Sequence, residues 1–188
     1  MNDIKSVCVY CGSSGQVDPR YRDAATRLGR RLAEHGIGMV YGGGRIGLMG
    51  LLADAALASG ARVIGVIPIA LHDREVAHRG LSELIVVPDM QERKRRMFEL
   101  ADAVAVLPGG LGTLDEAFEA ITLRQLGMSR APVALVNIDG YWDPLIALIE
   151  RTIEQGFTRA ETRKLYRIVA AAEKVIPACF GPIRRAKL

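Results

Sequence analysis

The sequence predicts an α/β protein with a doubly wound, mostly parallel sheet and helices on both faces. Short apolar runs alternate with longer amphipathic segments along nearly the whole chain, which is the order of elements in α/β folds. The short runs are continuously apolar, as is typical of strands that are buried on both faces. The chain has 188 residues and no shift in composition that would mark a linker, so we expect one domain over residues 1–188.

Each element is predicted from its local pattern. Short apolar runs predict strands at 7–10, 37–41, 63–67, 84–87, 103–107 and 133–136. In the first helical segment, Ala25, Leu28 and Leu32 fall on one face. Helices are predicted at 21–34, 46–58, 89–101, 113–126 and 144–155. After residue 157 we expect a short strand or turn and a last helix that ends near Cys179.

Charge and cysteine content exclude several classes of protein. The net charge of +4 suits an anionic ligand, but there is no long run of Lys and Arg, so we expect no nucleic-acid partner. The apolar run at 63–71 is too short for a membrane span, which needs about 18 residues or more. Three cysteines and an N-terminus without a signal-peptide pattern predict a cytoplasmic protein with reduced thiols.

The segment PGGLGTLDE at 108–116 follows a predicted strand and opens a helix. Doubly wound sheets bind ligands beyond the carboxyl ends of their strands. Glycines let backbone N–H groups approach an anion, and a helix N-terminus adds partial positive charge. We therefore predict a phosphate-binding turn. A tight turn in which Thr113 is the N-cap and Glu116 completes a capping box would explain the same residues without a ligand.

The helix after this turn has an unusual outer face. Its apolar stripe consists of Leu114, Ala117, Phe118 and Ile121. Glu116 points nearly opposite this stripe, so we expect it to face solvent, a ligand or a partner. Leu123 lies on the same far face, and Leu126 and Met128 follow. These residues indicate a second buried surface, which is either a dimer contact or a helix sandwiched within one subunit.

The predicted helix at 89–101 carries two cations on its apolar face. Met90, Met97 and Ala101 define that face, and Arg93 and Lys94 fall within it. An unpaired buried charge is costly. Unless both side chains snorkel along the helix edge, we expect them to meet a carboxylate or a phosphate.

The glycine segment GGGRIGLMG at 42–50 contains Gly-x-Gly-x-x-Gly between a strand and a helix. It is not on the first strand, no acidic residue ends the following strand, and no Gly-Lys-Ser/Thr is present. These absences argue against a dinucleotide fingerprint or a P-loop. Close backbone packing around a pocket explains the glycines better.

No metal centre is predicted. Cys8 and Cys11 are separated by two residues in a strand, so their thiols point to opposite faces, and no second cysteine pair completes a zinc site. The polar connection at 68–80 contains His72, Asp73, Glu75 and His78. Because no helical spacing organises these four residues, we interpret the connection as a polar rim or lid.

Three motifs together resemble a known family. In order they are GGGRIGLMG at 42–50, MQERK at 90–94 and PGGLGTLDE at 108–116, and they resemble the Lonely Guy family of cytokinin riboside 5′-monophosphate phosphoribohydrolases. The resemblance covers residues 7–155 and implies a Rossmann-like fold. It implies hydrolysis of the N-glycosidic bond of cytokinin riboside 5′-monophosphates or AMP-type nucleotides, which releases free base and ribose 5-phosphate. The family's motif has two glutamates after Gly-Thr-x; here the first is Asp115 and the second is Glu116.

The resemblance also implies roles for individual residues. Arg93 and Glu116 would be the catalytic pair. The substrate-binding residues would be Gly43, Met49, Glu75, Lys94, Gly109, Gly110, Leu111, Gly112, Thr113, Leu114, Asp115 and Thr122. Thr122 would line the pocket of the adjoining subunit, in a homodimer with the 113–128 helix region at its interface.

Bacterial members of this family are often labelled lysine decarboxylase-like, which would require pyridoxal phosphate on a Schiff-base lysine. Lys94 is the one lysine near the predicted pocket, and the resemblance gives it a binding role. We therefore expect no cofactor.

A carrier or sensor that binds a nucleotide without turnover on the same fold is the alternative hypothesis, since fold alone does not decide function. The Arg93 and Glu116 pair favours the hydrolase, because a pure binder has no need of it.

Overall fold

The short apolar runs of the chain form the strands of one sheet. The structure, a computed structural model, describes residues 4–72 and 76–180. Its strands are β1 (Ser6–Tyr10), β2 (Gly38–Tyr41), β3 (Val63–Pro68), β4 (Glu83–Val87), β5 (Ala103–Val106), β6 (Val133–Val136) and β7 (Arg167–Val169). Its helices are α1 (Pro19–Glu34), α2 (Gly47–Ala58), α3 (Ile69–His72), α4 (Met90–Glu99), α5 (Leu111–Gln125), α6 (Asp143–Glu154) and α7 (Val175–Phe180). Short 3₁₀ turns occur at Ile138–Gly140, Ala160–Lys164 and Ala172–Lys174.

The sheet is parallel and doubly wound. Among the described residues, seven strands pair in the order β4-β3-β2-β1-β5-β6-β7, and every pairing is parallel. The chain first builds outward from β1 to β4 and then returns to the other side of β1 with β5. This reversal leaves a crevice beyond the carboxyl ends of β1 and β5, where open α/β sheets bind ligands. The predicted fold class is confirmed.

Helices cover both faces of the sheet. Helices α1, α2 and α7 pack on one face, with Leu28, Leu52 and Ile176 in the shared core. Helices α4, α5 and α6 pack on the other face, and Met97 and Ile149 are buried there. Cys11 belongs to the first core and Cys8 to the second, so the prediction that the two thiols point to opposite faces is confirmed.

The start of α5 differs from the sequence prediction. The helix begins at Leu111 instead of Thr113, and its N-cap is Gly110, which has no side chain to cap it. The capping box of Thr113 and Glu116 is therefore wrong, because the glycine turn lets the helix begin two residues earlier and places Thr113 inside its first turn.

The rotation of α5 also differs from the prediction. Phe118 is 40% exposed, whereas Glu116 is only 6% exposed. This half of the helix packs beside α4, where the carboxylate of Glu116 meets Arg93. The buried face of α5 therefore includes a charged side chain that was expected to point away from the core.

The apolar face of α4 agrees with the prediction in part. Arg93 and Met97 are buried, but Met90 is 43% exposed because it is the first residue of the helix. Asp89 caps that helix by accepting a hydrogen bond from the Glu92 N–H at 2.8 Å.

Candidate active site

A cleft of about 410 Å³ opens beyond the carboxyl ends of β1, β2, β3 and β5. It is lined by Cys11, Gly12, Ser13, Gly42, Gly44, Ile46, Met49, Ile67, Leu71, Val76, Arg93, Gly110, Leu111, Gly112, Thr113 and Glu116. The crevice at the topological switch point therefore brings together segments far apart in the chain.

One wall of the cleft is the turn from β5 into α5. The Gly12 N–H donates to the carbonyl oxygen of Pro108 at 3.1 Å, which ties the turn to the loop after β1. A Cβ on Gly109 would overlap Thr113 Oγ1 and would lie 2.8 Å from the Gly12 nitrogen. Only glycine therefore fits at position 109, and Thr113 is held at the floor of the turn with 4% exposure.

The N-terminus of α5 borders the cleft through Leu111, Gly112 and Thr113. The first N–H groups of any α-helix have no partner within the helix, and the N-cap Gly110 supplies no side-chain hydrogen bond to them. A Cβ on Gly110 or Gly112 would meet nothing within 4 Å, so both glycines border open space. Unpaired N–H groups together with the positive end of the helix dipole form an anion site.

The opposite wall carries a buried ion pair. Arg93 Nη1 on α4 donates to Glu116 Oε1 on α5 at 3.1 Å, and the side chains are 9% and 8% exposed. Arg93 Nε also donates to the carbonyl oxygen of Val66 on β3 at 3.2 Å. A Cβ on Gly42 would overlap the Arg93 guanidinium, so this glycine makes room for the arginine. Both members of the pair border the cleft.

Burial makes the Glu116 carboxyl a group that titrates near neutrality. Desolvation raises the pKa of Glu116 to about 7, although the positive charge of Arg93 opposes that rise. A carboxyl group whose pKa lies near 7 suits general acid or base chemistry, and such groups concentrate at functional sites.

Lys94 lies outside the cleft lining. Its Nζ is 3.0 Å from Asp115 Oδ2 and 3.0 Å from Glu119 Oε2. Burial lowers the pKa of Lys94, but the hydrogen bonds to these two carboxylates outweigh burial and raise the pKa overall. The prediction that Arg93 and Lys94, the two cations on the apolar face of α4, meet a carboxylate or a phosphate is confirmed, with a carboxylate in each case.

The other predicted site residues fall into three groups. Met49, Gly110, Leu111, Gly112 and Thr113 border the cleft. Gly43, Gly109, Leu114, Asp115 and Thr122 do not border it, although Gly43 and Gly109 adjoin residues that do. Glu75 lies outside the described residues.

Sequence reasoning missed the apolar wall of the cleft. It is formed by Ile46 just before α2, Ile67 near the end of β3, Leu71 in α3 and Val76 in the connection before β4. Their position just beyond the strand ends was the available signal, but isolated apolar residues in loops are common and point to no ligand by themselves.

The described residues offer neither a metal cluster nor a membrane-spanning helix. No group of three or more His, Cys, Asp or Glu side chains within residues 4–72 and 76–180 could hold a metal ion. Asp73 and Glu75, from the predicted rim, lie outside those ranges. In the same ranges no helix has the length and apolar character needed to cross a bilayer. All three cysteines are free thiols.

Solved structures share the fold. A molybdenum cofactor binding protein from Rippkaea orientalis superposes with a TM-score of 0.71 at 22% identity, over 93% of this chain and 94% of that one. The molybdenum cofactor carrier protein of Chlamydomonas reinhardtii gives 0.71 at 19% identity, over 94% and 96% of the two chains. At these identities the likeness establishes the architecture alone.

Sequence relatives are more informative. A family model described as "Possible lysine decarboxylase" matches residues 49–179. The cytokinin riboside 5′-monophosphate phosphoribohydrolase LOG of Oryza sativa subsp. japonica is 44% identical over 92% of this chain and 72% of its own length. The phosphoribohydrolase LOG7 of Arabidopsis thaliana is 45% identical over 86% and 75%. This chain is therefore a member of the LOG family, to which these cytokinin riboside 5′-monophosphate phosphoribohydrolases belong.

Proposed function

We propose that this protein hydrolyses the N-glycosidic bond of cytokinin riboside 5′-monophosphates or AMP-type nucleotides. The products are the free base and ribose 5-phosphate. The observation that carries the proposal is the buried pair of Arg93 and Glu116 in the same cleft as the uncapped N-terminus of α5. An anion site next to a carboxylate with a pKa of about 7 is what cleavage of a phosphorylated nucleoside requires.

The phosphate end of the substrate binds at the turn. Backbone N–H groups of Leu111, Gly112 and Thr113 surround the dianion, and Thr113, which carries a hydroxyl, borders the same part of the cleft. This anchor fixes the ribose at a set distance from Glu116, so binding energy from the phosphate orients the bond to be broken.

Glu116 acts on the ribose. As the C1′–N bond breaks, its electron pair leaves with the base, and positive charge develops on the ribose ring. The Glu116 carboxylate stabilises that charge and accepts a proton from the water whose oxygen bonds to C1′. That proton is then passed to the departing base, which restores Glu116. Arg93 holds the carboxylate in place and favours its ionised form.

The apolar wall of the cleft suits the base. Ile46, Ile67, Leu71 and Val76 offer hydrocarbon surface opposite the polar turn, and planar bases bury well against such surface. The wall does not select among adenine-type bases by hydrogen bonding.

A lysine decarboxylase activity is disfavoured by the surroundings of Lys94. A Schiff base needs a neutral amine, but Asp115 and Glu119 hold the Lys94 ammonium and raise its pKa.

A panel of nucleotides tests the proposal. The protein is incubated with AMP, isopentenyladenosine monophosphate and the two parent nucleosides, and free base is measured by chromatography. We expect base release from the monophosphates and little from the nucleosides. Equal release from both classes would contradict phosphate anchoring. Binding of monophosphates without any release would support the carrier or sensor alternative instead.

We also propose that two copies associate through the outer face of α5. Leu111, Phe118 and Leu126 are 85%, 40% and 64% exposed, and their spacing places them with Thr122 on one face of the helix. Met128 is 73% exposed just beyond its end. Contiguous exposed apolar residues of this kind mark an association surface.

Light scattering after size exclusion tests the dimer. Leu126→Glu should halve the mass of a dimeric wild type, whereas Leu148→Glu on α6, where the leucine is 56% exposed, should not. A monomeric wild type would overturn the dimer and the role of Thr122 in an adjoining pocket, but not the roles proposed for Arg93 and Glu116.

We also propose that the chain forms one domain and that it is cytoplasmic. One sheet joins all the described strands, which supports a single domain over residues 1–188. Three free thiols are what the reducing cytoplasm maintains, which supports a cytoplasmic location.

A further inference from the structure

A tyrosine outside the cleft lining reaches the phosphate-binding turn. Tyr141 follows the 3₁₀ turn Ile138–Gly140 after β6, and its hydroxyl donates to the carbonyl oxygen of Gly109 at 2.7 Å. Gly109 immediately precedes Gly110, the N-cap of α5. The connection between β6 and α6 therefore contacts the turn between β5 and α5.

The position of the tyrosine ring is set by its neighbours. The ring packs edge-on against Tyr21 and Trp142, with centroid distances of 5.4 and 4.8 Å. Trp142 is 2% exposed, and its backbone N–H donates to Asn137 Oδ1 at 2.7 Å. Such edge-to-face contacts stabilise the position of a ring by more than its buried area alone would. The hydroxyl of Tyr141 is thus presented to the turn by a packed aromatic cluster.

The hydrogen bond from Tyr141 orients a peptide group of the turn. A peptide bond is planar and trans, so the Gly110 N–H points opposite to the Gly109 carbonyl, away from Tyr141. The preceding carbonyl, that of Pro108, is held by the Gly12 N–H at 3.1 Å. Glycine peptides rotate easily because glycine lacks a Cβ atom. The hydrogen bonds from Tyr141 and Gly12 therefore keep the turn in one conformation.

We propose that Tyr141 is a positioning residue for the substrate phosphate. Its hydroxyl holds the peptide between Gly109 and Gly110 so that the N–H groups at the start of α5 converge on the anion. This role rests on the proposed function for the identity of the substrate, but the effect on anion binding does not require turnover. Tyr141 touches no reacting atom, so its contribution falls on binding and not on bond cleavage.

Tyr141→Phe tests this role, with Tyr21→Phe as its matched control. Both variants lose one hydroxyl from the same aromatic cluster, but the bond to Gly109 is lost only in the first. We expect Tyr141→Phe to raise KM for AMP about 3- to 10-fold, the range for one hydrogen bond, with kcat changed less than about twofold. The dissociation constant of ribose 5-phosphate, measured by calorimetry, should rise by the same factor. Tyr21→Phe should leave both constants unchanged.

Several outcomes would overturn the proposal. KM and ribose 5-phosphate affinity that are the same in Tyr141→Phe as in the wild type would do so, and so would a loss confined to kcat. Equal losses in both variants would assign the effect to the aromatic cluster instead of the hydroxyl. If the wild type releases no base from any nucleotide, the proposed function fails, but the ribose 5-phosphate titration still decides the role of Tyr141.

Discussion

Two glycine-rich segments face each other across the cleft, and their glycines serve different purposes. In the segment at 42–50, a Cβ on Gly47 would overlap the backbone of Ser13, and one on Gly50 would overlap the carbonyl of Arg45. In the turn at 108–112, a Cβ on Gly110 or Gly112 would meet nothing within 4 Å. The first segment uses glycine so that the protein packs against itself, as Gly109 does in the second, whereas Gly110 and Gly112 leave open space beside the N–H groups at the start of α5.

This difference shows why glycine content alone is a poor guide to a phosphate site. The segment at 42–50 contains the spacing of a dinucleotide fingerprint, yet its glycines admit protein atoms, including the Arg93 guanidinium over Gly42. The sequence-based interpretation of this segment as close packing around a pocket is confirmed by that geometry. A glycine that can accommodate a ligand is one at which a Cβ would meet no protein atom.

The greatest loss of activity is expected from a change in the Arg93–Glu116 pair. Arg93 packs over Gly42 of the first segment, and Glu116 lies on the helix that follows the second. Glu116→Gln keeps the size of the side chain but removes the charge that stabilises the ribose cation. We expect kcat for base release to fall about 10²- to 10⁴-fold, while ribose 5-phosphate binding by calorimetry changes less than about threefold. The control is Glu119→Gln, one turn later on α5 and outside the cleft lining, which should retain activity. Unchanged base release by Glu116→Gln would refute the assigned role.

The next largest loss of activity is expected from a substitution in the segment at 42–50. In Gly42→Ala the new methyl group displaces the end of the Arg93 side chain, which is flexible enough for the fold to survive. A misplaced catalytic group costs about 100-fold in rate, so we expect kcat to fall by that order, and the melting temperature to fall as well because the buried contact of Arg93 with Glu116 is disturbed. Gly15→Ala, where a Cβ meets nothing within 4 Å, is the matched control. Full activity of Gly42→Ala would show that the position of Arg93 is unimportant.

Stability separates the two segments directly. Gly50→Ala forces a Cβ against the backbone of Arg45, and overpacking of this kind lowers the free energy of unfolding by about 1–3 kcal/mol. Gly112→Ala, in the first turn of α5, should raise it by up to about 1 kcal/mol through helix propensity but should weaken phosphate binding. Urea denaturation measures both changes. If both variants lost stability equally, the contrast between the segments would be wrong.

The last expected effect is a pH dependence of stability. The pKa of Glu116 is raised to about 7 in the folded protein, so between its ordinary value and 7 the folded state binds a proton that the unfolded state has lost. The free energy of unfolding should therefore fall as pH rises through that range and level off above it. Comparing wild type with Glu116→Gln by denaturation at several pH values isolates this contribution. A difference that does not vary with pH would contradict the raised pKa.

Much of the fold was predictable because its signals are local. Continuous apolar runs identified the strands, and the helix boundaries agreed to within two residues. The cations of α4 were predicted to need partners because burying a lone charge is costly. Arg93 does meet Glu116, from a helix 23 positions away in the chain.

Features that depend on tertiary contacts were not predictable. The contact between Tyr141 and Gly109 joins residues 32 positions apart, and no periodicity encodes it. The face of α5 was misassigned because Phe118 was counted as core, whereas packing beside α4 buries Glu116. A helical wheel assigns faces from side-chain polarity, so it places Glu116 away from the core. It cannot anticipate that a buried arginine from another helix pairs with that carboxylate.

We propose above all that a phosphate-anchored nucleotide is hydrolysed by a site built on Arg93 and Glu116. It is tested most directly by following base and ribose 5-phosphate together, from a saturating nucleoside 5′-monophosphate, with wild type and Glu116→Gln in parallel. We expect equimolar base and ribose 5-phosphate from the wild type and almost none from the variant, although the variant still binds ribose 5-phosphate. Equal product from both proteins, or no product from the wild type, would contradict it.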